Sequence, residues 1–346
     1  MNTKKIFAIV SVVGIVIASI IGGYVYVNAF TPNTQFSQEE VFVYIPSDAN
    51  YEQVKEIIAP LVDDFEKFDF VANSRNYNTN VKSGKFLFKK DMTSFDMVRS
   101  LRLNVPVTVA FNNQETLGKL MQRLATQLEP DTTALIEVFT NAAFLEEKQL
   151  TPATALTLFI PNTYEFYWNT SAKKMANKMV KEHAKFWNAE RLAKAKALNM
   201  TPAQVYTLAS IVHKETVKAD ERPRVAGAYL NRLQQDMPLQ ADPTVIYALK
   251  EKSGDFDQII KRVGGSNLFV RSPYNTYINK GLPPGPIAMP DISAIDAVLN
   301  AEKHNYIYFC ADPNRPGYHS FETTYEAHMI NARKYAEWVT KLGIKL

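Results

Sequence analysis

The chain has one cysteine, Cys310, in 346 residues, which excludes an intramolecular disulfide framework and any multi-cysteine metal site. That thiol lies in the apolar run NYIYFCA (305–311), where buried packing is its expected role. Histidine is also scarce. None of His183, His213, His304, His319 and His328 has HExxH spacing, and His213 and Glu215, two apart on a helix, point to different faces, so neither a metal site nor a cofactor is expected. Charge of one sign is lacking too: 39 basic against 35 acidic residues leave a net +4, too small and too dispersed to indicate nucleic acid as a partner.

Long apolar runs are absent apart from one. Lys4 and Lys5 precede residues 6–27, an almost uninterrupted apolar stretch that matches the roughly 20 residues needed to cross a bilayer core. A cleavable signal peptide has a shorter apolar core and a small-residue cleavage site, which VNAF supplies poorly. We therefore expect residues 1–5 in the cytoplasm, a single-pass transmembrane helix over 6–28 and the bulk of the chain outside the cytoplasmic membrane, since no comparable basic cluster follows the span. Residues 29–39 (AFTPNTQFSQE) are polar, carry Pro32 and read as a short tether.

Folding resumes with VFVYI (41–45), KFLFKK (85–90) and VPVTVAF (105–111), strand candidates each followed by a capping residue and a helical pattern. This order predicts an α+β fold, a small βα module over 40–110 followed by a mixed α+β domain over 111–346. Within 113–196, LFIPNTYEFYWNTS (158–171) interrupts the helical pattern. It reads as an ordered loop whose aromatics either close a core or stack on sugar faces.

Residues 201–216 (TPAQVYTLASIVHKET) carry the chemistry. Thr201 can cap the first turn, Pro202 fits the first helical position, and Gln204 can complete a capping box. Glu215 continues the stripe of Leu208, Ile211 and Val212, so this acid is placed on the inward face, where desolvation raises a carboxyl pKa as a general acid requires. The alternative is an ion pair with Lys218 on a wetter side of the last turn. Asp242, before Pro243 and Thr244, is either a helix cap or a second catalytic carboxylate. Residues 272–290 (SPYNTYINKGLPPGPIAMP) hold five prolines and two glycines, so they form a fixed loop whose Tyr274, Asn275 and Tyr277 can offer stacking and hydrogen bonds from a preset wall. GYHSF (317–321) is the expected hairpin partner of NYIYFCA, with His319 a candidate cleft or packing residue. A closing helix is expected to begin at a Thr323 to Glu326 capping box.

The ordered blocks SIVHKET, ERPRVAGAYLNRL (221–233), LQADPTVIY (239–247), YNTY (274–277) and GLPPGPIAMP (281–290) resemble the signature of the YceG/MltG family of membrane-anchored endolytic murein transglycosylases. The resemblance runs from about residue 159 to 328. It implies Glu215 as the catalytic acid, a LysM-like character for 40–110, and peptidoglycan glycan strands as the substrate, cut between N-acetylmuramic acid and N-acetylglucosamine with formation of 1,6-anhydro ends. It further implies substrate contacts at Asn231, Gln240, Asp242, Tyr247, Tyr274, Asn275, Thr276, Tyr277, Pro284, Gly285 and His319, and peptidoglycan synthases as partners in ending new strands. One departure is His213, where this family often has an acid. A hydrolytic muramidase, with Asp242, Asp220 or Glu221 as its second acid, and a non-catalytic glycan-binding scaffold are the alternatives.

Overall fold

The computed structural model of the protein describes residues 3–260 and 262–341, which form a mixed α+β chain in two compact units. The first comprises Met1–Thr108 with the short returns Gln127–Pro130 and Glu165–Ser171. It starts with α1 (Thr3–Phe30), whose exposed apolar surface and length, about 42 Å at 1.5 Å per residue, suffice to cross a bilayer. Tyr24 meets Phe70 edge-on at 5.4 Å and Phe30 lies 5.2 Å from Phe95, so the end of α1 packs on the folded part of this unit.

There β1 (Glu40–Ile45), α2 (Tyr51–Ile58), α3 (Phe65–Ser74), β2 (Gly84–Lys89) and α4 (Ser94–Ser100) follow in order. The strands pair antiparallel with Val43 opposite Phe86, and alternation along them buries Val43, Ile45, Phe86 and Phe88 against Val54, Ile58, Phe68 and Met97. Asn50, Asp64 and Thr93 cap α2, α3 and α4. The third strand does not extend this sheet: β3 (Pro106–Ala110) pairs with β4 (Thr163–Tyr167). Residues 163–167, expected as loop, are thus a strand, since Tyr164 and Phe166 alternate inward and need a ladder for their backbone. Residues 31–39 are held down as well. Buried Asn33 donates to the Asp64 carbonyl at 2.8 Å and accepts from the Asp64 amide at 2.8 Å.

The second unit comprises Val109–Thr126, Asp131–Tyr164 and Ala172–Leu346. Its helices are α5 (Leu117–Ala125), α6 (Thr132–Thr140), α7 (Ala142–Glu147), α8 (Ala172–Phe186), α9 (Ala189–Ala197), α10 (Pro202–Glu215), α11 (Arg222–Gln234), α12 (Asp242–Ser253), α13 (Ile292–Leu299) and α14 (Tyr325–Lys341). The hairpin β5 (Tyr308–Ala311) and β6 (His319–Glu322) precedes α14. Its residues are half-buried, less enclosed than the apolar run suggests. The α14 cap is Thr324, whose hydroxyl accepts the Ala327 amide, one residue beyond the expected Thr323.

In α10, Val205 through Val212 are all buried, surrounded by α11, α12 and α13. The proline-rich segment runs back along it, where the Ile287 amide donates to Ser210 Oγ at 3.0 Å. Gly285 is required where the same segment passes the chain at Ala153, because a Cβ there would stand 2.0 Å from the Ala153 carbonyl oxygen. Asn275, fully buried, ties the segment to itself. Its amide donates to the Leu268 and Val270 carbonyls at 3.0 and 2.9 Å and its oxygen accepts the Tyr277 amide at 2.9 Å. Replacing Asn275 with Ala strands two carbonyls and one amide in the interior, so the chain is expected to lose about 2–4 kcal/mol of stability. A thermal midpoint within a degree or two of wild type in the Asn275→Ala protein would show that the loop does not depend on it.

Candidate active site

The site is built on the end of α10. Thr201 and Gln204 form a full capping box, with bonds of 3.2 and 2.8 Å, and Pro202 occupies the first turn. The helix register is thereby set at its start, and fourteen residues later it delivers Glu215 at its last position. Leu208, Ile211 and Val212 on the same stripe are fully buried. Glu215 itself keeps some exposed surface but is surrounded by protein, and desolvation raises its pKa above the ordinary carboxyl range.

Tyr229, on α11, donates its hydroxyl to Glu215 Oε2 at 3.0 Å. This bond and the charges of His319 and Arg232 favour the carboxylate and oppose the desolvation, whereas the Asp242 charge adds to it. Lys218 forms no ion pair with Glu215; its ammonium stands 5.0 Å from the centre of the Tyr318 ring. The expected alternative of a surface pair therefore has no counterpart in the geometry.

Asp242 is the first residue of α12, and its side chain makes no cap bond. Its Oδ1 instead accepts the Tyr277 hydroxyl at 2.6 Å, which leaves an exposed carboxylate presented toward the Glu215 end of the site. The cap expectation fails because the backbone at Ala241 is secured otherwise: Thr276 Oγ1 accepts the Ala241 amide at 3.0 Å and Thr244 Oγ1 donates to its carbonyl at 2.7 Å. Arg232, 7% exposed, is a buried brace. It donates to the Ile307, Pro238 and Leu239 carbonyls at 2.5, 3.2 and 2.8 Å and to Gln240 Oε1 at 3.3 Å. Asn231 beside it donates to the His304 and Tyr306 carbonyls at 2.7 and 2.9 Å, so these two side chains hold the start of the hairpin segment against α11.

His319 is locked by Glu221. The buried Glu221 carboxylate accepts the His319 backbone amide at 2.6 Å and sits 2.9 Å from Nδ1. Burial pushes that carboxyl up, but the His319 bonds and charge and a bond with Thr216 outweigh it and hold the pKa low. The Phe309 ring, edge-on at 5.4 Å to both Tyr229 and His319, fills the space between these two partners.

The structure thus brings Glu215, Asp242, Tyr277 and His319 to one end of α10, with Gln240, Asn231 and Thr276 in the braces behind them. Tyr247 and Tyr274, rings 4.5 Å apart, line a separate cavity of about 460 Å³ with Glu115 and Glu251. Pro284 lines a hollow of about 690 Å³ with Thr201 and Gln204, at the start of a helix whose length, about 20 Å, separates it from Glu215. Gly285 and Asn275 are buried and engaged in packing. Tyr229, Arg232 and the pairing of Glu221 with His319 were not anticipated. Their signal was nevertheless present, since Val225, Tyr229 and Arg232 recur at i, i+4 and i+7 on one face of α11, all buried.

The YceG-like family model matches residues 43–334. The endolytic murein transglycosylase of Streptococcus pneumoniae serotype 2 is 30% identical over 325 residues, covering 84% of this chain and 58% of that protein. That of Bacillus subtilis is 34% identical over 176 residues, covering 51% of this chain and 46% of its own. The chain thus spans about half the length of the curated relatives it matches. A crystal structure of a YceG-like protein from Listeria monocytogenes superposes with a TM-score of 0.57 at 28% identity, covering 85% of this chain and 99% of that one. With its matched region spanning both units and the whole of the site just described, this chain belongs to the YceG-like family.

Proposed function

We propose that the chain is a membrane-anchored endolytic lytic transglycosylase, acting on the bond between N-acetylmuramic acid and N-acetylglucosamine in peptidoglycan strands. The observation that carries this reading is the desolvated Glu215 carboxyl at the end of α10, bonded by Tyr229, in a family whose curated members are named endolytic murein transglycosylases. Protonated Glu215 gives its proton to the glycosidic oxygen as the bond to the muramic acid C1 breaks. The resulting carboxylate, stabilised by the Tyr229 hydroxyl, takes the proton of the C6 hydroxyl while O6 closes on C1, which yields a 1,6-anhydro end and restores the acid. Asp242, held by Tyr277, adds negative charge where the sugar ring becomes positive.

The same proposal assigns α1 as the anchor, with Lys4 and Lys5 on the cytoplasmic side and the rest of the chain extracytoplasmic. The β1–α2–α3–β2 arrangement, two antiparallel strands with two helices between them, supports a LysM-like module that holds glycan near the membrane. Peptidoglycan synthases are the partners such strand-ending activity requires.

Hydrolysis is the second reading, and Asp242 favours it. Of the three candidate second acids, Glu221 is buried under His319, and of the two exposed ones, each bonded by a tyrosine hydroxyl, it is Asp242 whose charge acts on Glu215. Product mass separates the two, because anhydro ends are one water lighter than reducing ends. Anhydro ends are expected from wild-type protein on purified sacculi. Glu215→Gln is expected to lower the rate roughly 10²–10⁴-fold. Its stability at neutral pH should be equal or higher, since the neutral amide carries less desolvation cost. Undiminished anhydro ends from that variant would remove Glu215 from the chemistry.

The Tyr229 bond gives an independent check. Removing a donor to the carboxylate raises the Glu215 pKa further, so the alkaline limb of the kcat/KM profile in Tyr229→Phe should move to higher pH. A limb in the wild-type position would mean that Tyr229 only packs against the acid.

A further inference from the structure

Behind His319 lies a second hollow, of about 410 Å³, within the range of roughly 300–1,000 Å³ usual for small-ligand pockets. It opens between the hairpin and α14. The hairpin turn that forms one wall is fixed to the loop following Glu215: the Tyr318 hydroxyl donates to Asp220, Lys218 stands over the Tyr318 ring, and His319 is bound by Glu221. His319 therefore has one side toward Glu215 and is also part of the hollow's wall.

The charges in this hollow are unlike those of a sugar subsite. Arg224, Arg315 and Lys334 bring three cations, Asp312 and Glu322 two anions. They are arranged rather than scattered. Arg315 stacks 4.4 Å from the centre of the Tyr318 ring, Arg224 is held by Glu302 at 3.0 and 3.2 Å, and Glu322 accepts the Asn331 amide at 2.8 Å. A neutral acetylated sugar has no charge to offer five ionised side chains. The short peptide on the lactyl group of muramic acid has several, because it carries free carboxylates together with the amine of a diamino acid. It is also joined to the very sugar whose C1 would face Glu215.

We propose that the hollow lined by Arg224, Arg315, Lys334, Asp312 and Glu322 binds the zwitterionic stem peptide of the muramic acid being cut, so that the chain reads peptide-bearing strands in preference to bare glycan. The proposal rests on the glycan-cleaving reading above. Carboxylates of the peptide pair with Arg315 and Lys334, its ammonium with Asp312 and Glu322, and His319 divides the peptide from the sugar. Peptide recognition is thus set on one side of His319 and bond cleavage on the other.

The test uses the full chain carrying Glu215→Gln, with retention on two immobilised probes: peptide-bearing strands from sacculi, and the same strands stripped by an amidase, which leaves the lactyl carboxylate in place. Peptide-bearing strands should be retained about tenfold more tightly, the size expected when two or three partly exposed charge pairs are made. Arg315→Glu combined with Lys334→Glu should bring the ratio close to one, with an unchanged thermal midpoint to show that the fold survives. If a doubly reversed chain did not fold, Lys334→Glu alone, on the exposed side of α14, must still lower the ratio. Equal retention of both probes by the parent, or a ratio unmoved by the reversals, overturns the peptide site and leaves at most the lactyl carboxylate as ligand. Failure of the catalytic reading would show differently, as strand cleavage persisting in the Glu215→Gln background while the retention ratio still reports on the hollow.

Discussion

The second unit depends on the burial of α10. Eight consecutive residues of this helix, Val205 to Val212, are buried, none more than 3% exposed, so the helix neither rotates nor slides without opening the core. That constraint produces the site. A helix buried all round must end somewhere, and where this one ends its next inward position is an acid rather than another aliphatic side chain. Burial which is favourable for Ile211 and Val212 is unfavourable for a charged Glu215, and the same packing that stabilises the helix therefore raises the acid's pKa.

The second helix, α11, converts this rigid end into an arranged one. Tyr229 reaches the acid, Arg232 and Asn231 hold five backbone carbonyls of two following segments, and Gly227 lets the chain at Glu302 approach where a Cβ would meet its carbonyl oxygen at 2.4 Å. A buried guanidinium with several carbonyl partners is satisfied without an anion. Arg232 can therefore brace the Asp242 and His319 segments at once and still contribute positive potential to Glu215. Loss of a single brace would move two partners of the acid together.

Much of this was legible beforehand. The capping box of Thr201 and Gln204, the inward stripe ending at Glu215 and the hairpin before a closing helix are local patterns, and each appears at its expected place within three residues. What escaped was what local pattern cannot hold. Asp242 reads as a cap because caps are chosen by neighbours in sequence, whereas its partner Tyr277 lies 35 residues away. The β3 partner is a strand inside an aromatic stretch that reads as loop, since its period of two covers only Thr163–Tyr167. In the proline-rich segment, asparagine and tyrosines suggest a ligand-facing wall. The prolines cannot donate amide hydrogen bonds, so a side chain takes over the tie: Asn275 is consumed by its own loop, while Tyr277 two residues on faces out to Asp242.

His213 shows how a departure from the family's pattern is absorbed. Buried Arg222 is paired with Asp291 at 3.2 Å, which also lies 3.3 Å from His213, so the charge at this spot is balanced without an acid at 213. Desolvation lowers the His213 pKa; Arg222 and Lys214 act the same way, and Asp291 opposes them. A lowered histidine contributes stability that is present above its ordinary pKa and lost as pH falls through the folded value. Glu215, raised, has the opposite sign: its contribution is present below the ordinary carboxyl pKa and lost as pH rises through its folded value. The two groups are two residues apart but face different partners. Stability linked to His213 is thus lost on acidification and stability linked to Glu215 on alkalinisation, so the two groups tie the end of α10 to pH with opposite signs.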